Sequence, residues 1–216
     1  MGLISYRRAL RYCLLALTSL SFLSTANAQE QGQPGKFDFY LLNLSWSTEF
    51  CSIQGTSPQC APRPGFVVHG LWPQNNDGTY PVFCSGRPGP AKPDQNLDIT
   101  PDPSLLKHEW SKHGTCTTLA PEEFFALEHK AFRSLTIPRL FDNLDHEVLL
   151  KPAEILGLFA KANPTFPAGS IILSCGHNRL TAMEACFSKD GLKPVACQGL
   201  RECGAEIVRI TPAVKK

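Results

Sequence analysis

Lys107-His108-Glu109-Trp110-Ser111-Lys112-His113-Gly114-Thr115-Cys116 places two histidines, a carboxylate, two lysines and a cysteine within ten residues. Read as the last turns of a helix that opens between Thr100 and Ser104, the stretch sets His108, Glu109, Lys112 and His113 within an arc of roughly 140°. Gly114 would end that helix, because glycine takes the left-handed conformation that helix ends often need. Charges at this spacing ordinarily do no more than solubilise a helix. A face that mixes acid, base and two imidazoles, and that ends at a cysteine, carries more chemistry than solubility requires.

Working outward toward the N-terminus, Phe66-Val67-Val68-His69 reads as a short strand running into Gly70-Leu71-Trp72-Pro73, with Asn75-Asn76-Asp77-Gly78 as a turn. Phe37 to Trp46 is a longer strand of aromatic and aliphatic residues. It contains the formal glycosylation acceptor Asn43-Leu44-Ser45, which inside a strand is expected to be buried and unmodified. Cys51 to Pro64 reads as a loop. The proline-rich segment from Cys84 to Pro103 reads as an irregular crossing that delivers the chain to the charged helix.

Toward the C-terminus, Pro121 to Leu135 is helical, with Phe124, Phe125, Leu127, Ala131, Phe132 and Leu135 on its apolar face. A short helix is expected at Pro138 to Leu144 and another at Pro152 to Ala162, where Pro152 occupies a tolerated first-turn position. Ser170 to Cys175 and Leu180 to Phe187 read as strands around a Gly176-His177-Asn178 turn, and Glu206 to Ile210 as the last strand. Strands at both ends with helices between them predict an α+β single domain, a central antiparallel β-sheet with several helices packed around it.

Residues 1–28 read as a signal peptide: Arg7, Arg8 and Arg11 precede an apolar run from Tyr12 to Leu23, and Ala26-Asn27-Ala28 is a small-x-small cleavage site. The run is too short for a membrane span, so a secreted chain beginning near Gln29, with no membrane partner, is expected. That chain has 216 less 28 residues, or 188, a length suited to one domain. Its 21 basic residues less three arginines leave 18 against 19 acidic ones, a net charge of −1. A polyanionic partner must therefore be met by a local patch rather than by an overall positive field. Removing Cys13 leaves Cys51, Cys60, Cys84, Cys116, Cys175, Cys186, Cys197 and Cys203. An even number behind a secretion signal predicts four disulfides, and spacing alone allows 105 pairings.

Two histidines, one on a strand and one on a helix beside Lys112 and Glu109, point to a general acid–base pair, because imidazole titrates near neutrality. Metal chemistry fits poorly. A zinc protease places both histidines at i and i+4, whereas His108 and His113 are at i and i+5 with Lys112 between them. No metal and no cofactor are expected. Cys116 is assigned to a disulfide rather than to a nucleophile. His129, His146 and His177 read as structural or surface residues, and Trp46 and Trp110 as core.

The segments Phe66-Val67-Val68-His69-Gly70-Leu71-Trp72-Pro73 and His108-Glu109-Trp110-Ser111-Lys112-His113-Gly114-Thr115-Cys116 resemble the two active-site segments of the ribonuclease T2 family. Ser45-Trp46-Ser47, Phe50-Cys51 and the C-terminal cysteines extend the resemblance over roughly residues 37 to 210. It implies a metal-independent, monomeric endoribonuclease acting on RNA, with His113 as general base and His69 as general acid. It gives Lys112 and Glu109 transition-state stabilisation and His108 a phosphate contact. Trp72 and Tyr80 match base-stacking positions. Gln74 stands where some relatives carry an adenine-reading Asp, and Leu105 where some carry an aromatic ring. The implied disulfides are Cys51–Cys60, Cys84–Cys116, Cys175–Cys203 and Cys186–Cys197. The alternative is a catalytically silent RNA- or ligand-binding protein on the same scaffold.

Overall fold

The computed structural model describes residues 32–61, 65–142 and 144–212, so the expected signal peptide lies outside the described residues. Strand β1 (Phe39–Trp46) is buried along its whole length. Such a continuous apolar run belongs to a strand covered on both faces, and β1 lies between β2 (Phe66–Gln74) and β5 (Arg179–Ser188), antiparallel to both. β4 (Ile171–Gly176) pairs with β5 through a two-residue hairpin turn, with His177 and Asn178 at φ 51° and 60°. β6 (Val208–Ile210) joins β5 at Arg179, and β3 (Val148–Leu150) pairs with β6 to complete a six-stranded sheet.

The alternating side chains of β1 serve two different layers. Tyr40, Leu42, Leu44 and Trp46 enter the main core with Phe124, Phe125 and Phe159. Phe39 and Leu41 pack on the other face with Cys186, Val195 and Leu200, and the next residues on that face are the polar Asn43 and Ser45. Asn43 is indeed buried, donating its amide to Glu184 Oε1 at 2.8 Å.

The helices α2 (Pro103–Lys112), α3 (Pro121–Arg133) and α4 (Pro152–Ala162) match the three main helical readings. All three start with proline, whose missing N–H costs nothing in a first turn. Glu123 and Glu154 reach back to the backbone N–H of Ala120 and Lys151, 2.9 and 2.7 Å. Asp102 caps α2, accepting from the N–H groups of Ser104 and Leu105 at 2.9 and 3.3 Å.

Three local readings are corrected. Ser47–Ile53, partly within the expected loop, is a helix, α1. Its buried polar residues are held by the far end of the chain: Thr48 donates to Thr211 O at 2.8 Å, and Glu49 takes a hydrogen bond from Thr211 and faces Arg179 at 3.4 Å. The expected helix from Pro138 is a single 3-10 turn, Arg139–Phe141. Gly114 is not in a left-handed conformation, and the chain tightens from α2 into a 3-10 turn, Gly114–Cys116. Glycine is needed there for space, since a Cβ would strike the ring of Trp110.

The four disulfides are Cys51–Cys60, Cys84–Cys116, Cys175–Cys203 and Cys186–Cys197, the pairs that the resemblance implies. Among the described residues, no helix is long and apolar enough to cross a membrane.

Candidate active site

Strand β2 is the sheet's edge next to α2, and an irregularity in its ladder falls at His69. Asn43 faces Gly70 while Leu44 faces Val68, so His69 is the unpaired extra residue of a β-bulge. A bulge turns its side chain out of the strict alternation. The outward backbone groups of the edge are covered by the chain leading into α2: Val68 N–H donates to Ile99 O at 2.9 Å, and Thr100 Oγ1 to Val68 O at 3.0 Å. His69 is thereby held beside α2, with its side chain 37% exposed. Its Nδ1 lies 3.2 Å from Ser45 Oγ, at the polar end of that β1 face.

α2 turns Glu109 and His113 inward, each 2% exposed, while His108 is exposed and Lys112 half-buried. The expected single charged face is therefore divided: its acid and one imidazole are buried against β2. Glu109 sits between the two rings. Its Oε1 is 3.4 Å from His69 Nε2 and its Oε2 4.0 Å from His113 Nε2. Trp72 Nε1 donates to Oε2 at 2.6 Å. The Trp72 ring is stacked on His113, centroids 5.3 Å apart at 25°, and stands edge-on to His69 at 5.5 Å. Tyr80 completes the wall at 6.2 Å from His113. A side chain at Gly70 would run into the Glu109 carboxylate and the Trp72 indole, so this close approach requires glycine.

The electrostatics follow from this packing. Burial is the largest influence on Glu109 and opposes its ionisation. The hydrogen bond to His69, the charges of His113 and His69 and the Trp72 donor together outweigh it and lower its pKa. Burial drives His113 down to about 4 despite the opposing pull of Glu109, and Lys112, His108 and His69 add to the lowering. His113 is thus a neutral imidazole over most of the pH range.

Of the remaining expected residues, Leu105 is half-buried one turn before Glu109 on α2. Gln74 is buried at the end of β2, where its backbone carbonyl accepts the N–H of Asp38 at 2.8 Å. Three supporting residues escaped the sequence reading of the site. Ser45 contacts His69. Arg87 donates to the carbonyls of Leu119, Thr117 and Thr115 at 2.8, 2.8 and 3.3 Å, while its own carbonyl accepts Trp110 Nε1 at 3.0 Å. Arg87 thereby secures the chain just after His113, which the Cys84–Cys116 disulfide also holds. Glu128, 1% exposed on α3, lies close enough to Glu109 for the two carboxyls to repel. Burial, and then Glu109, raise Glu128 to about 8 against the N–H of Leu71. Its place at i+4 from Phe124 on the apolar face was the available signal.

A model of the ribonuclease T2 family matches residues 37–197. Ribonuclease DdI of Dictyostelium discoideum is 31% identical over 196 residues, 82% of this chain and 86% of that protein. A ribonuclease of Aeromonas hydrophila is 41% identical over 116 residues, 53% of each chain. In fold, the structure is similar to an RNase-related protein from Calystegia sepium, with a TM-score of 0.68 at 22% identity over 82% of this chain and 97% of that one. The long family match and the relative aligned over most of both lengths agree with the paired-histidine geometry: the chain belongs to the ribonuclease T2 family, as an enzyme of that type.

Proposed function

We propose that this chain is a secreted endoribonuclease that cleaves single-stranded RNA by transphosphorylation, its catalytic domain spanning residues 29–216 after removal of the signal peptide. The observation that carries the mechanism is the single carboxylate of Glu109 between two imidazoles from different elements, His69 on the β2 bulge and His113 at the end of α2.

Neutral His113 takes the proton of the ribose 2′-OH as that oxygen attacks phosphorus. The 2′-O–P bond forms, the P–O5′ bond breaks, and protonated His69 gives its proton to the departing 5′ oxygen. The products are a 2′,3′-cyclic phosphate and a free 5′-hydroxyl. Ser45 and Glu109 orient His69: in the protonated ring that acts as the acid, Nδ1–H donates to Ser45 Oγ and Nε2–H faces Glu109 Oε1. Lys112 supplies positive charge for the five-coordinate phosphorus and His108 a phosphate contact, while Glu109 holds the imidazoles in register and stabilises their charged forms. Trp72 and Tyr80 form an aromatic wall suited to stacking a base, with Leu105 and Gln74 bordering it. DNA lacks the attacking hydroxyl, so selectivity for RNA follows from the reaction. No step requires a metal or cofactor, and the enzyme acts as a monomer.

The test is incubation of the purified chain with a ribodinucleoside phosphate and its deoxy counterpart in the presence of EDTA. A 2′,3′-cyclic phosphate from the ribo substrate alone is the expected product. His113→Phe and His69→Phe should each lower kcat about 10²- to 10⁴-fold. Activity that EDTA abolishes, or variants within a few-fold of wild type, would refute the acid–base assignment. RNA binding without any product would favour the silent-scaffold alternative.

A further inference from the structure

A groove of about 650 Å³ opens between residues 90–96 and α3, outside the histidine cluster. Lys92, Lys130 and Arg133 line it. All three are exposed, and none is ion-paired among the described residues. Lys130 and Arg133 lie three residues apart in the last turn of α3, so they share a side of the helix. The lining's one carboxylate, Glu122, accepts the N–H of Ala91 at 3.0 Å and so helps hold the opposite wall. His129 fastens the same wall, its Nε2 3.2 Å from Asn96 Oδ1. The lining's aromatic ring, Phe125, is buried in the core, so the groove offers charge and amide groups rather than a stacking platform.

The wall is continuous with the site. Four residues beyond Asn96 the chain reaches Thr100, at most about 14 Å away, and Ile99 and Thr100 bond both backbone groups of Val68, the neighbour of His69. We propose that this groove is a track for the RNA strand on the 3′ side of the cleaved bond, with Lys92, Lys130 and Arg133 taking backbone phosphates of the leaving strand. The inference rests on the reading of His69 as the acid that protonates the 5′ leaving oxygen, because that strand then departs on His69's side. A chain whose expected mature charge is −1 has no general field with which to hold a polyanion, so a local set of free cations is what an extended RNA requires. Lysine and arginine without exposed aromatics read phosphates rather than bases, so the track should be indifferent to sequence.

The experiment compares wild type with the triple variant Lys92→Gln/Lys130→Gln/Arg133→Gln. A control, Lys151→Gln/Lys161→Gln/Lys193→Gln, carries the same charge change away from the groove. Binding of a non-cleavable 2′-O-methyl decaribonucleotide is measured across a salt series, and kcat/KM is measured on a dinucleoside phosphate and on a decaribonucleotide. The groove variant should bind the decamer at least tenfold more weakly at low salt. Its salt slope should be smaller by about 2, from three phosphates at about 0.7 each. Its kcat/KM should fall for the decamer and stay within twofold for the dinucleoside phosphate.

Decamer binding and salt slope unchanged in the groove variant would overturn the proposal, as would an equal loss in the control. An equal loss on the dinucleoside phosphate would also overturn it, by placing the effect at the reaction centre. A wild-type chain that cleaves neither substrate would defeat the cleavage reading, and the binding arm would still decide whether the three cations hold RNA.

Discussion

The indole nitrogen of Trp72 donates to Glu109 Oε2 at 2.6 Å, joining the strand motif to the helix motif through one buried carboxylate. Trp72→Phe keeps a ring against His113 but removes the donor. With one stabilising contact gone, burial weighs more heavily and the Glu109 pKa should rise. A hydrogen bond to a charged group contributes about 1.5–3 kcal/mol. Urea unfolding at pH 7 should register a loss of that order, and the Glu109 carboxyl followed by NMR should titrate at a higher pH than in wild type. An unchanged Glu109 titration would show that the carboxylate does not depend on the indole.

Glu128 predicts stability that declines with rising pH. Its ordinary pKa of 4.5 is raised to about 8 in the fold, chiefly by burial. Between those values the folded chain keeps a proton that the unfolded chain has released, so stability falls as pH rises through the window. Glu128→Gln removes the titration. Its melting temperature should approach the wild-type value near pH 4.5 and exceed it increasingly toward pH 8. Parallel wild-type and variant curves would disprove the linkage.

His113 imposes the opposite slope at acid pH. Burial takes it from 6.5 to about 4, so between those values the unfolded state binds the extra proton and stability is lost as pH falls. His113→Phe should flatten this loss while removing activity. Denaturant midpoints from pH 4 to pH 7 measure the first effect, and cyclic-phosphate formation the second.

Gly70→Ala tests the close approach of β2 to α2. The added methyl collides with the Glu109 carboxylate and the Trp72 indole, and overpacking of this kind typically costs about 1–3 kcal/mol. We expect kcat to fall at least tenfold with KM less affected. Wild-type kinetics would mean that the contact relaxes without disturbing the imidazoles.

The Cys84–Cys116 bridge ties the chain after the His69 motif to the end of the second motif, with a sequence separation of 32. Replacing both cysteines by alanine should cost about 3–4 kcal/mol by loop-closure entropy. The variant should also lose kcat through looser placement of the end of α2, readable by single-turnover kinetics at a temperature where it remains folded.

Much of the fold was legible in the residues. β1, β5, α3 and α4 carry continuous or periodic apolar patterns that reflect their own burial, so their neighbours in sequence announce them. α1 has no such pattern, and the apolar run of β3 is only three residues long. Ser47, Thr48 and Glu49 are buried polar residues that form a helix with help from Thr211 and Arg179, and Val148–Leu150 becomes a strand by pairing with β6. In both, long-range partners supply what local propensity does not.

By itself the sequence determined the α+β class, the main helices and strands, the segments that carry the imidazoles and the scarcity of net positive charge. These depend on periodicity, composition and motif order, all present before the chain folds. Only the tertiary structure decided that His69 stands on a bulge, that Glu109 lies between two rings, that Glu128 is sealed behind it and that three unpaired cations face one groove. Each of those facts is set by which distant elements pack against one another, and burial and distance, which govern charge and proton transfer, arise only from that packing.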